Sequence, residues 1–186
     1  MDNKEKILLY LAKKKDVFTL LELSKQVSIP YTSLHRTVKE MEDLVEINEK
    51  GKSKLITIKW NSITRAYLTI ASFKEKKEFV KKNKIFKKIE DKAEGIVLIF
   101  GSYAKNLQRK KSDIDIIIIN KNGERSLRFT DLELLFDIKI NPIFLSNKEF
   151  LLMLKDKEEN VGKQALKDHI LLSGFFEFWN LLKNGI

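Results

Sequence analysis

Before residue 45, apolar residues recur three times at helical spacing. Ile7, Leu8 and Leu11 share one side of a helix predicted over residues 3–15, with charges opposite. A second helix is expected from Thr19, because Thr19 and Glu22 stand three apart as in a capping box; Leu20, Leu23 and Val27 form its apolar stripe. Ser28-Ile29-Pro30 interrupts it. Pro30 suits the first turn of a third helix, which carries Leu34, Val38 and Met41 and is expected to run to about Leu44. The period then shortens: residues 45–48 and 55–59 read as strands around a Gly-containing turn at 49–54. Residues 62–93 are helical again, with a break expected near Asn83; Phe73, Phe79, Phe86 and Ile89 are expected to pack on a neighbouring domain. From Gly95 onward, apolar runs at 95–100, 112–119, 138–145 and 170–173 read as strands. Helices are expected after the Ser146…Glu149 cap, over 161–168, and from Gly174, where Phe175, Phe176, Phe178 and Trp179 cluster as core or as an oligomer contact.

Composition narrows the chemistry. There is no cysteine and only His35 and His169, so thiolate and histidine-rich metal sites are excluded and any metal must be held mainly by oxygen. No apolar run approaches the length of a membrane span, and the N-terminus lacks a signal-like apolar region. A cytoplasmic protein without membrane contact is therefore expected. The net charge of +10 is unevenly spread, with an excess of +3 over residues 1–60, +5 over 61–94 and +2 over 95–186. It favours an anionic partner, nucleic acid or nucleotide phosphate, although a solvated lysine surface explains much of it.

Three short helices followed by a lysine-rich hairpin, over residues 3–60, resemble a winged helix-turn-helix. In that arrangement the third helix enters the major groove and the wing approaches the phosphates. The resemblance implies DNA-facing roles for Tyr31, Thr32, Ser33, His35, Arg36 and Lys39, and for Lys50, Lys52 and Lys54 of the wing. Glu40, Glu42 and Asp43 make the end of the third helix acidic, and the alternative is a protein-interaction or dimerisation module.

The second half carries a sharper pattern. An apolar strand ends abruptly at Gly101-Ser102, and Ser112-Asp113-Ile114-Asp115 opens the next. Strand alternation sets Asp113 and Asp115 on one face with Ile114 on the other. Two adjacent carboxylates repel each other, and a divalent cation relieves that repulsion while bridging to a phosphate tail. A Gly-Ser bend is the complement, since its amides and hydroxyl can meet phosphate oxygens.

These residues resemble the signature of minimal nucleotidyltransferases of the DNA polymerase β superfamily: Gly101-Ser102-Tyr103-Ala104-Lys105-Asn106, five residues, then Ser112-Asp113-Ile114-Asp115. The resemblance implies metal binding by Asp113 and Asp115. It also implies nucleotide binding by Gly101, Ser102, Lys105 and Ser112, and Mg2+ (or Mn2+) with an NTP, ATP being the expected one. Asn106 stands where the family has glycine, and Lys105 where it has arginine. A later strand of the family supplies a third Asp; here Asn141 occupies that position and joins the catalytic set with Asp113 and Asp115, although an amide cannot act as a base. Asp137, four residues earlier and expected on the same strand face, could substitute only in another register. The expected fold class is α/β (α+β): a winged helix-turn-helix at 1–60, a basic helical connector at 61–94, and a small mixed-sheet nucleotidyltransferase domain flanked by helices at 95–186. The implied function is transfer of NMP to a hydroxyl acceptor, with relatives that modify a partner toxin protein as antitoxins. The alternative is a DNA-binding regulator whose transferase domain is catalytically weak or inactive. Double-stranded DNA, a partner protein and a homodimer are the macromolecular associations this allows.

Overall fold

The computed structural model describes residues 1–50, 53–110, 112–124 and 127–185. Two compact units divide the chain, Met1–Ala71 and Ser72–Ile186. Among the described residues no helix is long and apolar enough to cross a membrane.

The first unit runs α1 (Asn3–Lys14), β1 (Phe18–Thr19), α2 (Leu20–Gln26), α3 (Tyr31–Lys39), β2 (Val45–Lys50), β3 (Ser53–Ile58) and the beginning of α4 (Ser62–Lys82). The capping box of α2 forms as expected: the Glu22 amide donates to Thr19 Oγ1 at 3.2 Å, and the Thr19 amide to Glu22 Oε2 at 2.8 Å. Ile7, Leu8, Leu11, Leu23, Leu34 and Met41 lose nearly all exposure. Each such burial contributes about 1.5–3 kcal/mol. Two local expectations are corrected. Helix α3 stops at Lys39 rather than near Leu44, because the Glu40 and Met41 amides turn to the carbonyls of Thr37 and Val38 three residues back. Phe18 and Thr19 form a strand too short to show a period, pairing with Ile56 and Leu55 in an antiparallel sheet ordered β1-β3-β2.

The second unit takes the rest of α4, then α5 (Lys84–Lys92), β4 (Ile96–Phe100), α6 (Gly101–Ala104), β5 (Ile114–Asn120), α7 (Thr130–Phe136), β6 (Ile140–Ser146), α8 (Asn147–Lys155), α9 (Val161–Lys167), β7 (Ile170–Ser173) and α10 (Phe175–Gly185). Its sheet is mixed, ordered β6-β5-β4-β7, with β5 and β6 parallel and the other pairs antiparallel. On one face Val97, Ile99, Ile114, Ile116 and Ile118 pack with Ile85, Phe86 and Ile89 of α5 and with Tyr103. Leu98, Ile117, Ile119 and Leu171 are buried too, with α8 and α10 making contacts to the strands. Burial on both faces explains why Ile116–Ile119 is an unbroken aliphatic run. The aromatic cluster of α10 divides: Phe178 and Trp179 are fully buried core, with Trp179 Nε1 donating to Ser72 Oγ at 3.0 Å, whereas Phe175 is half-buried and Phe176 is exposed.

Two expectations change here as well. Strand β5 starts at Ile114, two residues later than the apolar pattern suggested, which leaves Asp113 just ahead of it. Asp137 is not on a strand. It ends α7 in the left-handed region, at φ 50°, and its exposed position removes it as a stand-in for Asn141.

Candidate active site

At the C-terminal end of β4 the chain turns sharply. Phe100 is extended, and Gly101 follows at φ +69°, a conformation that costs an L-residue about 1–2 kcal/mol. Space demands glycine as well as conformation: a Cβ on Gly101 would collide with Asp115 Oδ2 and lie 3.4 Å from Asp115 Cγ. The bend and the carboxylate are therefore in immediate contact. Helix α6 is one turn long and is closed by Asn106 at φ 57°, with the Leu107 amide donating to Ser102 O at 2.9 Å. Asparagine thus takes the left-handed cap position that glycine usually fills. Tyr103 anchors the turn from below, buried and edge-on to Phe86 with ring centres 5.4 Å apart; burial pushes its phenol above the usual range.

The loop from α6 returns to β5 through a turn in which the Arg109 amide donates to Ser112 Oγ at 2.8 Å and the Ser112 amide to Arg109 O at 3.0 Å. Ser112 therefore closes the loop that delivers Asp113. The parallel register then decides the neighbours. Asp115 lies opposite Asn141, and Asn141 Nδ2 donates at 3.3 Å both to Asp113 Oδ2 and to Asp115 Oδ1. One amide thus bridges two carboxylates. Lys139 Nζ stands 3.8 Å from Asp113 Oδ2, while its carbonyl accepts from the Ile114 amide at 2.9 Å. The only signal for Lys139 along the chain is a two-residue offset from Asn141, which has no meaning until the register with β5 is known.

Lys105 Nζ stands 3.9 Å from Asp168 Oδ2, ahead of β7. Ser102 and Gly101 share the bend, both half-buried. Among the described residues no three His, Cys, Asp or Glu side chains converge as a metal site would require, so the oxygen donors are two carboxylates and one amide.

In the first unit, Tyr31, Thr32, Arg36 and Lys39 are exposed on α3, and His35 stacks on Tyr31 at 6.2 Å. Ser33 departs from the expected outward set: its hydroxyl accepts from Asn3 Nδ2 of α1 at 3.3 Å. Lys54 is paired across the hairpin with Glu49 at 3.8 Å. Lys52 lies outside the described residues, as does the Lys50 side chain.

The second unit thus sets a glycine bend against a carboxylate pair at one end of a four-stranded mixed sheet. Residues 72–174 match the family described as Polymerase beta, Nucleotidyltransferase, and the chain belongs to that family. The match begins at the residue where the second compact unit begins. Comparison with curated proteins and with solved structures gave no significant match.

Proposed function

We propose that the second unit is a Mg2+-dependent nucleotidyltransferase that moves an NMP from an NTP, ATP by preference, to a hydroxyl acceptor. The observation that carries this reading is the contact of Gly101 with Asp115 beside an Asp113–Asp115 pair bridged by Asn141. The donor set fits a hard divalent cation: Asp113 and Asp115 would hold it, and the Asn141 side chain can turn its oxygen inward once its amino group is released. Bound there, the cation would supply charge neutralisation for the phosphate tail. The chain's own contribution is positioning. Gly101 leaves room for a phosphate beside Asp115, Ser102 and the backbone of the bend can donate to phosphate oxygens, and Asn141 sets the separation of the carboxylates. Incubation with ATP and Mg2+, with candidate acceptors, should release pyrophosphate. Asp113→Ala should abolish that release; undiminished release from this variant would sink the assignment.

A regulator with a slow transferase domain is the second reading, favoured by Asn141 itself. An amide cannot accept the proton of an attacking hydroxyl, and general-base catalysis contributes roughly 10²–10⁴-fold. On this reading Asn141→Asp raises turnover at least tenfold, measured as pyrophosphate release at fixed Mg2+. A fall in rate would favour the first reading with Asn141 as the optimal residue.

The first unit is proposed as a winged helix-turn-helix that binds duplex DNA, supported by its element order and by Tyr31, Thr32, Arg36 and Lys39 on the exposed side of α3. Arg36→Ala is expected to weaken duplex binding several-fold and to lower the slope of log affinity against log salt by about one. Fluorescence anisotropy at a series of salt concentrations measures both, and unchanged affinity would leave a protein-contact role for this helix.

A further inference from the structure

The charge around Asp113 has a feature that the transferase reading does not use. Parallel pairing begins with Ile114 opposite Ile140 and sets Asp115 opposite Asn141; Asp113 and Lys139 each lie one residue ahead of that register, where Lys139 Nζ stands 3.8 Å from Asp113 Oδ2. Asn141 Nδ2 reaches both carboxylates and Lys139 Nζ reaches Asp113, so both side chains lie on the side of the carboxylates, while Ile140 between them is buried in the core. The Lys139 backbone is locked to Ile114, yet its side chain is 68% exposed and rests on Asp113 only loosely, at 3.8 Å. An exposed pair of that kind is weak and exchanges readily with solvent.

We propose that this site takes a single divalent cation and that the Lys139 ammonium serves in place of a second, standing against Asp113 until a nucleotide arrives and then passing to a phosphate oxygen. The inference rests on the nucleotide-binding reading above. Two carboxylates, one neutral amide and one ammonium leave a local charge of −1. One divalent cation turns this to +1, which still attracts a phosphate tail. A second would bring +3 with no third carboxylate to bridge the ions, so mutual repulsion opposes it. Lysine suits the exchange, since its compact charge sits on a flexible stem and its three donors can change partner.

The test counts cations and measures nucleotide affinity on the full chain. Mn2+ is titrated by electron paramagnetic resonance with and without α,β-methylene-ATP, and the affinity for this analogue is followed by calorimetry. One Mn2+ per chain is expected in both states. Lys139→Ala should weaken the analogue about tenfold, the loss of one charge-assisted hydrogen bond, and leave one Mn2+ bound without nucleotide. Lys139→Arg should retain most of the analogue affinity. Two Mn2+ per chain in the ternary complex, or a change under twofold in Lys139→Ala, would overturn the proposal while leaving nucleotide binding intact. Absence of analogue binding by the unaltered chain would instead remove the nucleotide reading, and this inference with it.

Discussion

Gly101→Ala is expected to lower the stability of the second unit by about 1–3 kcal/mol and to abolish detectable nucleotide-analogue binding. Two costs combine. The left-handed φ of +69° is unfavourable for alanine, and the new methyl occupies the place of Asp115 Oδ2. The carboxylate must rotate or the bend must open, and either movement separates Asp115, the proposed cation ligand, from the bend proposed to hold phosphate. Gly123→Ala is the matched control. Gly123 also has a left-handed φ, +72°, and a Cβ there would approach the Ser146 amide at 2.7 Å, in the turn after β5 rather than the bend before it. It should lose comparable stability and keep analogue binding. Thermal unfolding and calorimetry on both variants separate the effects, and analogue binding retained by Gly101→Ala would show that the bend is not part of the nucleotide site.

Phe86→Ala should have the largest effect on stability, about 3–5 kcal/mol, a substantial part of the 5–15 kcal/mol that holds an ordinary domain together. Phe86 is fully buried, with its ring centre 4.4 Å from that of Phe79 and 5.4 Å from that of Tyr103. Its removal opens a cavity under α6, the turn that carries Gly101 and Ser102. Phe86→Leu, which keeps most of the apolar volume, should cost less than half as much. Urea unfolding followed by tryptophan fluorescence reports on this unit through the buried Trp179. Equal midpoints for the alanine variant and the unaltered chain would remove Phe86 as the support of the bend.

Much of the site could be read along the chain because it is built from local rules. Extended backbone alternates over three residues, so Asp113 and Asp115 could be assigned to one side without knowledge of the sheet, and both meet Asn141 even though Asp113 falls just ahead of β5. The abrupt end of an apolar strand pointed to the Gly101-Ser102 bend, and Asn106, standing where the family has glycine, takes the left-handed conformation that asparagine tolerates, at φ 57°. The capping boxes at Thr19 and Ser146 involve side chains three residues apart and likewise require no tertiary information.

Other features were invisible for an equally physical reason. The apolar runs do not reveal that Asp137 ends a helix, because residues 130–136 show no clean period; α7 is held by burial of Leu132 against the sheet core, while Leu134 and Leu135 stay exposed. Ser33 looks outward on a helical projection, but Asn3 of a different helix reaches it.

From the sequence alone came the order of most elements, the adjacent acidic pair at the start of a strand and the glycine bend that precedes it, since each depends on backbone geometry over a few neighbouring residues. Only the tertiary structure decided that β5 lies between β4 and a parallel β6, that Asn141 bridges the two carboxylates, and that the Lys139 ammonium stands beside Asp113. Those pairings join residues 26 to 28 apart in the chain, and their register is set by how the whole sheet buries its two faces.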